Sequence, residues 1–344
     1  MKKYIIIMYM ALALLTGCDR RSAGWQTGNV TLVRALGVDL TGAGIDLVAW
    51  GGDGERLSAE GGSVADGLNR LKELGTGFVH FGHADQILLG EDFARDKMPD
   101  LVDFVARDRQ IGPGARLWVL RQDMPRDAAD VAARLERLAS TREAGTTRSC
   151  TVTQLMRAIA EEGSTLAPAL SWEEEELRLA GYAVLRRGHL VGFLEGEQAL
   201  GAELLCGQGA GQLVAVTLPD GAPVTLSVER ASVCCEPLLA EGTLCGARLR
   251  CSVRLEVAQG APLTKEQRCE AVRQAEEILC RRMVSALACA QFWDADFVGL
   301  EQHLRAACSA QEWNGVDWAR GFRTLPLQAV VSAEVAWPAD VMEE

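Results

Sequence analysis

The chain has 344 residues, 48% of them hydrophobic and 24% charged, which places it among ordinary globular proteins and argues against a disordered or polytopic membrane chain. Its 35 basic and 47 acidic side chains give a formal net charge of −12, which argues against nucleic acid as a partner and against electrostatic adhesion to an anionic bilayer. Membrane association would need a cause other than surface charge.

The first residues supply one. Met1-Lys2-Lys3 is followed by an apolar run from Tyr4 to Leu14 and then by Leu15-Thr16-Gly17-Cys18. A short positive region, an apolar stretch below the ~20 residues of a membrane span and small residues before a cut point make residues 1–17 a secretory signal. Leu-Thr-Gly-Cys resembles a bacterial lipobox, so Cys18 is the expected lipidation site and the first residue of the mature chain. Two acyl chains, at ~0.8 kcal/mol per buried methylene, anchor stably where one is marginal. Residues 19–29 are largely polar and contain Gly24 and Gly28, so residues 18–29 read as a lipidated tether.

Beyond the tether, Val30–Val38 and Ile45–Trp50 read as strands, and Ser63 caps a helix that Gly75 closes. Phe78–Phe81 and Gln86–Leu89 are strand-like, Phe93–Asp108 carries a helical stripe, and Arg116–Gln122 is a strand, which together predict an α/β unit. Ala128–Leu138 and Val152–Ala160 are amphipathic, Arg142–Thr147 is polar, and the acids Glu173–Glu176 read as a solvated helix start. Leu179–Leu185 and Leu190–Leu194 predict a hairpin around Gly188, with short strands at Val214–Leu218 and Val224–Glu229.

In the last hundred residues, Leu249–Val257 alternates as a half-buried strand. Thr264-Lys-Glu-Gln267 is a capping box opening a long helix, Asp296–Cys308 forms another helix, and Leu325–Trp337 alternates as a final strand. The predicted fold class is α+β (mixed α/β) in three domains. These are an N-terminal α/β domain (30–165), a small strand-rich middle domain (166–240) and a C-terminal β-α-α-β domain (241–340).

Chemistry-bearing patterns are sparse. HExxH, C-x-x-C, G-x-S-x-G and Walker motifs are absent, so no catalytic residue, metal site or cofactor site is assigned. His80 and His83 sit on a strand and turn and would face apart without a bend, so His83 is expected to be a hydrogen-bonded structural residue. His189 and His303 read as solvated, and Gly207-x-Gly209-x-Gly211 precedes a strand, making it a turn and not a dinucleotide loop. Trp293, Trp313 and Trp318 read as a packing cluster, and the ten cysteines after Cys18 read as mostly reduced core residues.

Several segments resemble one family. Leu32-Val-Arg-Ala-Leu-Gly-Val-Asp39, Val79-His-Phe-Gly-His83 followed by Gln86–Ala94, and Leu101–Asp108 with its DFxxRD pattern are similar to segments of the Ger(x)C lipoproteins, the C subunits of bacterial spore germinant receptors. So are the hairpin Leu179–Leu194 with Glu197, and Ala295–Leu300 followed by Trp313, Trp318 and the last strand. The cysteine richness, the Ile111-Gly-Pro-Gly114 turn and the Gly-rich stretch from Gly51 to Gly62 depart from the family pattern. The resemblance implies a non-catalytic, lipid-anchored subunit on the outer face of the spore inner membrane. It would act with A-type and B-type integral membrane subunits in nutrient-triggered spore germination. The alternative from another class is a solute-binding lipoprotein of an uptake system, against which the α+β ending counts.

Overall fold

The computed structural model describes residues 30–336 apart from positions 43, 53, 109, 123, 126, 129, 141–148 and 262. The signal segment, Cys18, the tether, the polar run at 142–147 and the chain beyond 336 lie outside the described residues.

Strands β1 (Val30–Thr41), β2 (Gly44–Gly51) and β3 (Arg56–Gly61) form an antiparallel meander. On the other side of β1, β5 (Gln86–Gly90), β6 (Arg116–Leu120) and β8 (Ser164–Glu173) add in parallel. Strands β9 (Glu176–Arg186) and β10 (His189–Leu194) complete the sheet antiparallel. Two short strands, β4 (Phe78–His80) and β7 (Cys150–Thr151), pair with β1 and β6. The central strands are buried on both faces, which is why β5 reads as the continuous run Ile87-Leu-Leu89 and not as an alternation.

Helices cover both faces. On one side lie α1 (Val64–Leu74), α2 (Glu91–Asp96), α3 (Met98–Arg107) and α5 (Val152–Ala160), packing Leu68, Leu71, Phe93, Leu101 and Leu155 against the sheet. On the other, α4 (Val131–Ser140) lays Val131, Leu135 and Leu138 over Trp50, Leu88 and Trp118. The predicted cap of α1 is present: the Ser63 hydroxyl accepts from the Asp66 N–H at 3.2 Å. The single helix expected over Phe93–Asp108 is two. Pro99 occupies the first turn of α3, and its missing N–H cannot continue the ladder of α2, so the chain breaks at Lys97.

The acids Glu173–Glu176 do not start a helix. Trp172 pairs with Leu177 and Glu173 with Glu176 across the β8–β9 hairpin, whose two turn residues Glu174 and Glu175 both have positive φ, 50° and 63°. Both flanks alternate with period two, and that pattern decides for strands over the charge run.

A second sheet has the order β11 (Leu213–Thr217), β12 (Pro223–Ala240), β13 (Thr243–Gln259) and β14 (Leu327–Ala336). β13 and β14 are parallel neighbours joined by α7 (Lys265–Phe292), α8 (Leu300–Ala307) and two short helices, α9 (Ala310–Trp313) and α10 (Trp318–Gly321). The capping box predicted at Thr264 and Gln267 opens α7. β12 runs well past the predicted end at Glu229 and carries Cys234 and Cys235. Residues 166–240, read from sequence as one small unit, contribute β8 to β10 to the large sheet and β11 and β12 to the second.

The two sheets share a core. Leu166, Tyr182, Val184 and Leu194 of the large sheet pack in one cluster with α6 (Gly196–Leu205), α7 and the inner face of the second sheet. The helices α6 and α7 approach closely at Gly201, where an added Cβ would lie 1.9 Å from the Arg282 carbonyl oxygen. At an exposed helical site Gly→Ala stabilises by about 1 kcal/mol. Here Gly201→Ala is expected to reverse that sign and destabilise by about 1–3 kcal/mol, because α6 must move off α7. A urea midpoint at or above that of the parent would show that the approach is not constraining.

Candidate functional site

The junction between the sheets is built on a buried polar network. Glu203 of α6 and Arg282 of α7 are only 2% and 6% exposed, and Gln212, just before β11, is fully buried. The Tyr182 hydroxyl of β9 donates to Glu203 Oε1 at 2.6 Å, and Gln212 Nε2 donates to Glu203 Oε2 at 3.2 Å and to the Leu200 carbonyl at 2.9 Å. Arg282 donates to Gln212 Oε1 at 3.4 Å, to the Leu213 carbonyl at 3.3 Å and in a fork to Glu197 at 2.8 and 3.2 Å. A buried carboxylate is tolerated only with such partners. The glycine run is a turn as predicted, with Gly207 and Gly211 at positive φ, and it delivers Gln212 into this network.

A cleft of about 560 Å³ lies between α5, the open end of the β8–β9 pair and the segment from Asp294 to His303. Arg186 pairs with Asp294 across it, and Arg187 pairs with Glu162 at 2.9 Å. Asp296 accepts the backbone N–H groups of Gly299, Leu300 and Glu301 at 2.8–2.9 Å, capping α8. Burial pushes its carboxyl above the ordinary aspartate range against those three bonds. His303 Nδ1 lies 2.7 Å from the Gly299 carbonyl. The Arg186–Asp294 and Arg187–Glu162 pairs thus join separate elements of the protein across this cleft. A wider groove of about 1060 Å³ on the opposite side carries Asp39, Asp130, Arg134, Trp172 and Glu176. Burial raises the Asp39 carboxyl there, and Arg134 donates to the Leu177 carbonyl at 3.0 Å.

The residues singled out from sequence fall as follows. Cys18 lies outside the described residues. His83 is exposed, not a structural core histidine, because the chain turns after Phe81. That turn brings its ring 5.6 Å from His80, whose Nδ1 accepts from the Gly82 N–H at 3.2 Å. Among the described residues no group of three or more His, Cys, Asp or Glu could hold a metal ion. His189 is tied to the fold: its Nδ1 lies 2.8 Å from the Arg95 carbonyl of α2. Trp313, Trp318 and Phe322 stack in series, but Trp293 stands apart, edge-on to Phe292 and against Gly192 of β10. The ten described cysteines are free thiols, and of these Cys150 and Cys251 are buried while Cys234, Cys245 and Cys269 are exposed. Burial pushes the Cys235 and Cys251 thiols up to about 11, leaving both protonated and unreactive at neutral pH. Sequence reasoning missed α6 and the Glu203–Arg282 network altogether.

Two sheets, the larger covered by helices on both faces and the smaller sharing a core with it, define a mixed α/β protein. Comparison with known proteins agrees with that class. Residues 29–171 match the family model described as the spore germination protein N-terminal domain, and residues 180–336 match the one described as spore germination B3/GerAC like, C-terminal. The chain belongs to this spore germination family, the C subunits of germinant receptors. Among solved structures it is similar to the one described as the crystal structure of the GerBC protein, with a TM-score of 0.60 and 19% identity over 88% of this chain and 96% of that one. That likeness shows the shared mixed α/β fold. No curated protein sequence matches the chain.

Two outcomes follow from the junction. Tyr182→Phe removes one donor from Glu203 and is expected to cost about 1–2 kcal/mol, and Glu203→Ala, which leaves Tyr182 and Gln212 buried without their acceptor, about 3 kcal/mol or more. Equal urea midpoints for Glu203→Ala and the parent would mean the network stabilises nothing. Because the Asp296 carboxyl is raised in the folded state, the folded chain holds a proton that the unfolded chain has already released. Its stabilising share is therefore complete below the ordinary aspartate range and lost as pH rises through the raised value. The stability of the parent relative to Asp296→Asn should fall as pH is raised from about 4 towards neutrality. A difference that stays constant over that window would contradict the assignment.

Proposed function

We propose that the chain is the lipid-anchored C subunit of a spore germinant receptor, held by acylated Cys18 at the outer face of the spore inner membrane. It acts there with A-type and B-type integral membrane subunits in the response to small nutrients and has no catalytic step of its own. The observation that carries this reading is the order of parts: a lipobox at Leu15–Cys18, a short polar tether, then the two germination-family regions in succession over 29–336. Among the described residues no helix is long and apolar enough to cross a membrane, and in this reading the acyl group supplies the attachment. Coupling to nutrient binding requires that the subunit contact its partners differently in the resting and triggered receptor.

The test is release of dipicolinic acid from spores that lack other receptors, given a panel of nutrients. Deletion of the chain is expected to abolish release for one nutrient class, and Cys18→Ala to weaken it. Release equal to the parent in both strains on every nutrient would sink the proposal.

A further inference from the structure

A continuous strand would hold His80 and His83, three residues apart, on opposite faces. The chain turns between them instead. β4 ends at His80, and Phe81 and Ala84 then anchor the turn in the core at 2% and 3% exposure. Two backbone bonds close it, Ala84 N–H to the Phe81 carbonyl and Asp85 N–H to the His83 carbonyl, both at 2.9 Å. A side chain at position 82 would obstruct the His80 ring, because an added Cβ there would lie 2.4 Å from its Cε1. Glycine therefore lets the ring fold over the turn, and the two imidazole centroids come to 5.6 Å with their planes inclined at 46°.

That spacing is close to what one metal ion demands. With metal–nitrogen bonds of about 2.0–2.1 Å, roughly 1.2 Å from nitrogen to ring centre and a tetrahedral angle of about 109°, two imidazoles on one zinc ion have centroids about 5.3 Å apart. Both rings have a nitrogen to give. The His83 ring is exposed and has no hydrogen bond to another described residue. His80 accepts the Gly82 N–H through Nδ1 at 3.2 Å, which places its own proton on Nε2. An ion taken at Nε2 sends that proton to Nδ1 and gives up only this one long bond.

The surroundings select the ion. The rings border a hollow of about 360 Å³ whose other lining residues are Val30, Leu32 and Phe78, with no carboxylate. Calcium and magnesium take oxygen ligands, whereas neutral imidazole suits zinc, nickel and copper. Among the described residues no third His, Cys, Asp or Glu joins the pair, so water fills the remaining positions.

We infer that His80 and His83 form a two-nitrogen site for a divalent transition-metal ion of the zinc class. The turn already sets the ring spacing, and chelation asks only for torsional adjustment of two surface side chains. The inference is independent of the lipid-anchor reading. A bound ion ties the end of β4 to the turn leading into β5, and β4 is the strand with which Val30–Leu32 of β1 pair. Because the site exists only in the folded turn, the ion stabilises that corner by mass action.

The test titrates zinc ion into the full chain in detergent, isotope-labelled at histidine, and follows the imidazole signals of its four histidines. The His80 and His83 signals are expected to shift together and saturate at one ion per chain, while those of His189 and His303 stay in place. Two linked nitrogens hold an ion at least about tenfold more tightly than one, so in His80→Asn or His83→Asn the remaining ring should need at least about tenfold more zinc. Gly82→Ala, which keeps both rings and drives them apart, should weaken binding in the same way. Unchanged His189 and His303 signals, which report contacts to the Arg95 and Gly299 carbonyls, show that each variant is folded. A lone remaining ring that binds zinc as tightly as the pair makes the histidines independent and overturns the inference. So do rings unmoved at millimolar zinc, including the case in which thiols alone take the ion, and rings that respond to calcium as they do to zinc.

Discussion

The joining of the two sheets depends on satisfying one buried carboxylate. Glu203 stands on α6 between the two sheets, and its partners come from β9, from the turn before β11 and, through Gln212, from α7. Left without those partners it would cost several kcal/mol, so neither half is complete until both are in place. Close packing repeats the constraint. Besides the contact at Gly201, an added Cβ at Gly192 would stand 2.3 Å from the Trp293 ring, and Arg186 reaches across to Asp294. The hairpin β9–β10 therefore serves two cores, one face closing the large sheet and the other forming the floor beneath α6 and α7.

This double duty explains what could and could not be read from the sequence. Where an element has one wet face, its period is visible: β13 alternates Leu249, Cys251, Val253 and Leu255 with Arg250, Ser252, Arg254 and Glu256, and α7 announces itself with a capping box. Where an element is enclosed, the signal disappears. α6 buries Ala199, Ala202, Leu204 and Leu205 together with Glu203, so its hydrophobic residues mark no face and its one buried acid looks like a surface residue. The four acids at 173–176 misled for the opposite reason, because charge runs favour solvent without specifying a helix. Cross-strand pairing of Trp172 with Leu177 then placed them in a turn. The meeting of His80 and His83 depends on a turn at Phe81–Ala84 that no spacing rule contains. Cys18, legible from the lipobox, lies outside the described residues.

The second sheet faces the hazard of any long exposed edge, and α7 manages it. β14 pairs with β13 on one side only, yet its edge is partly occupied. Glu276 accepts the Ala333 N–H at 2.8 Å, and one turn further on the Cys280 thiol donates to the Ala329 carbonyl at 3.4 Å. Two side chains four residues apart on a helix thus match two backbone groups four residues apart on the strand, which blunts the template that an open edge offers to another chain.

The same economy bears on how a C subunit could respond to its receptor. A hinge between the two sheets would have to open the Tyr182–Glu203–Gln212–Arg282 network and part a continuous apolar cluster, both far costlier than the few kcal/mol that separate functional states. Movement of one sheet against the other is accordingly costly, so the two sheets move as a unit. Of the charged pairs that line the cleft, Arg186–Asp294 spans the junction. The groove over α4 and the outward row of the second sheet lie outside this junction.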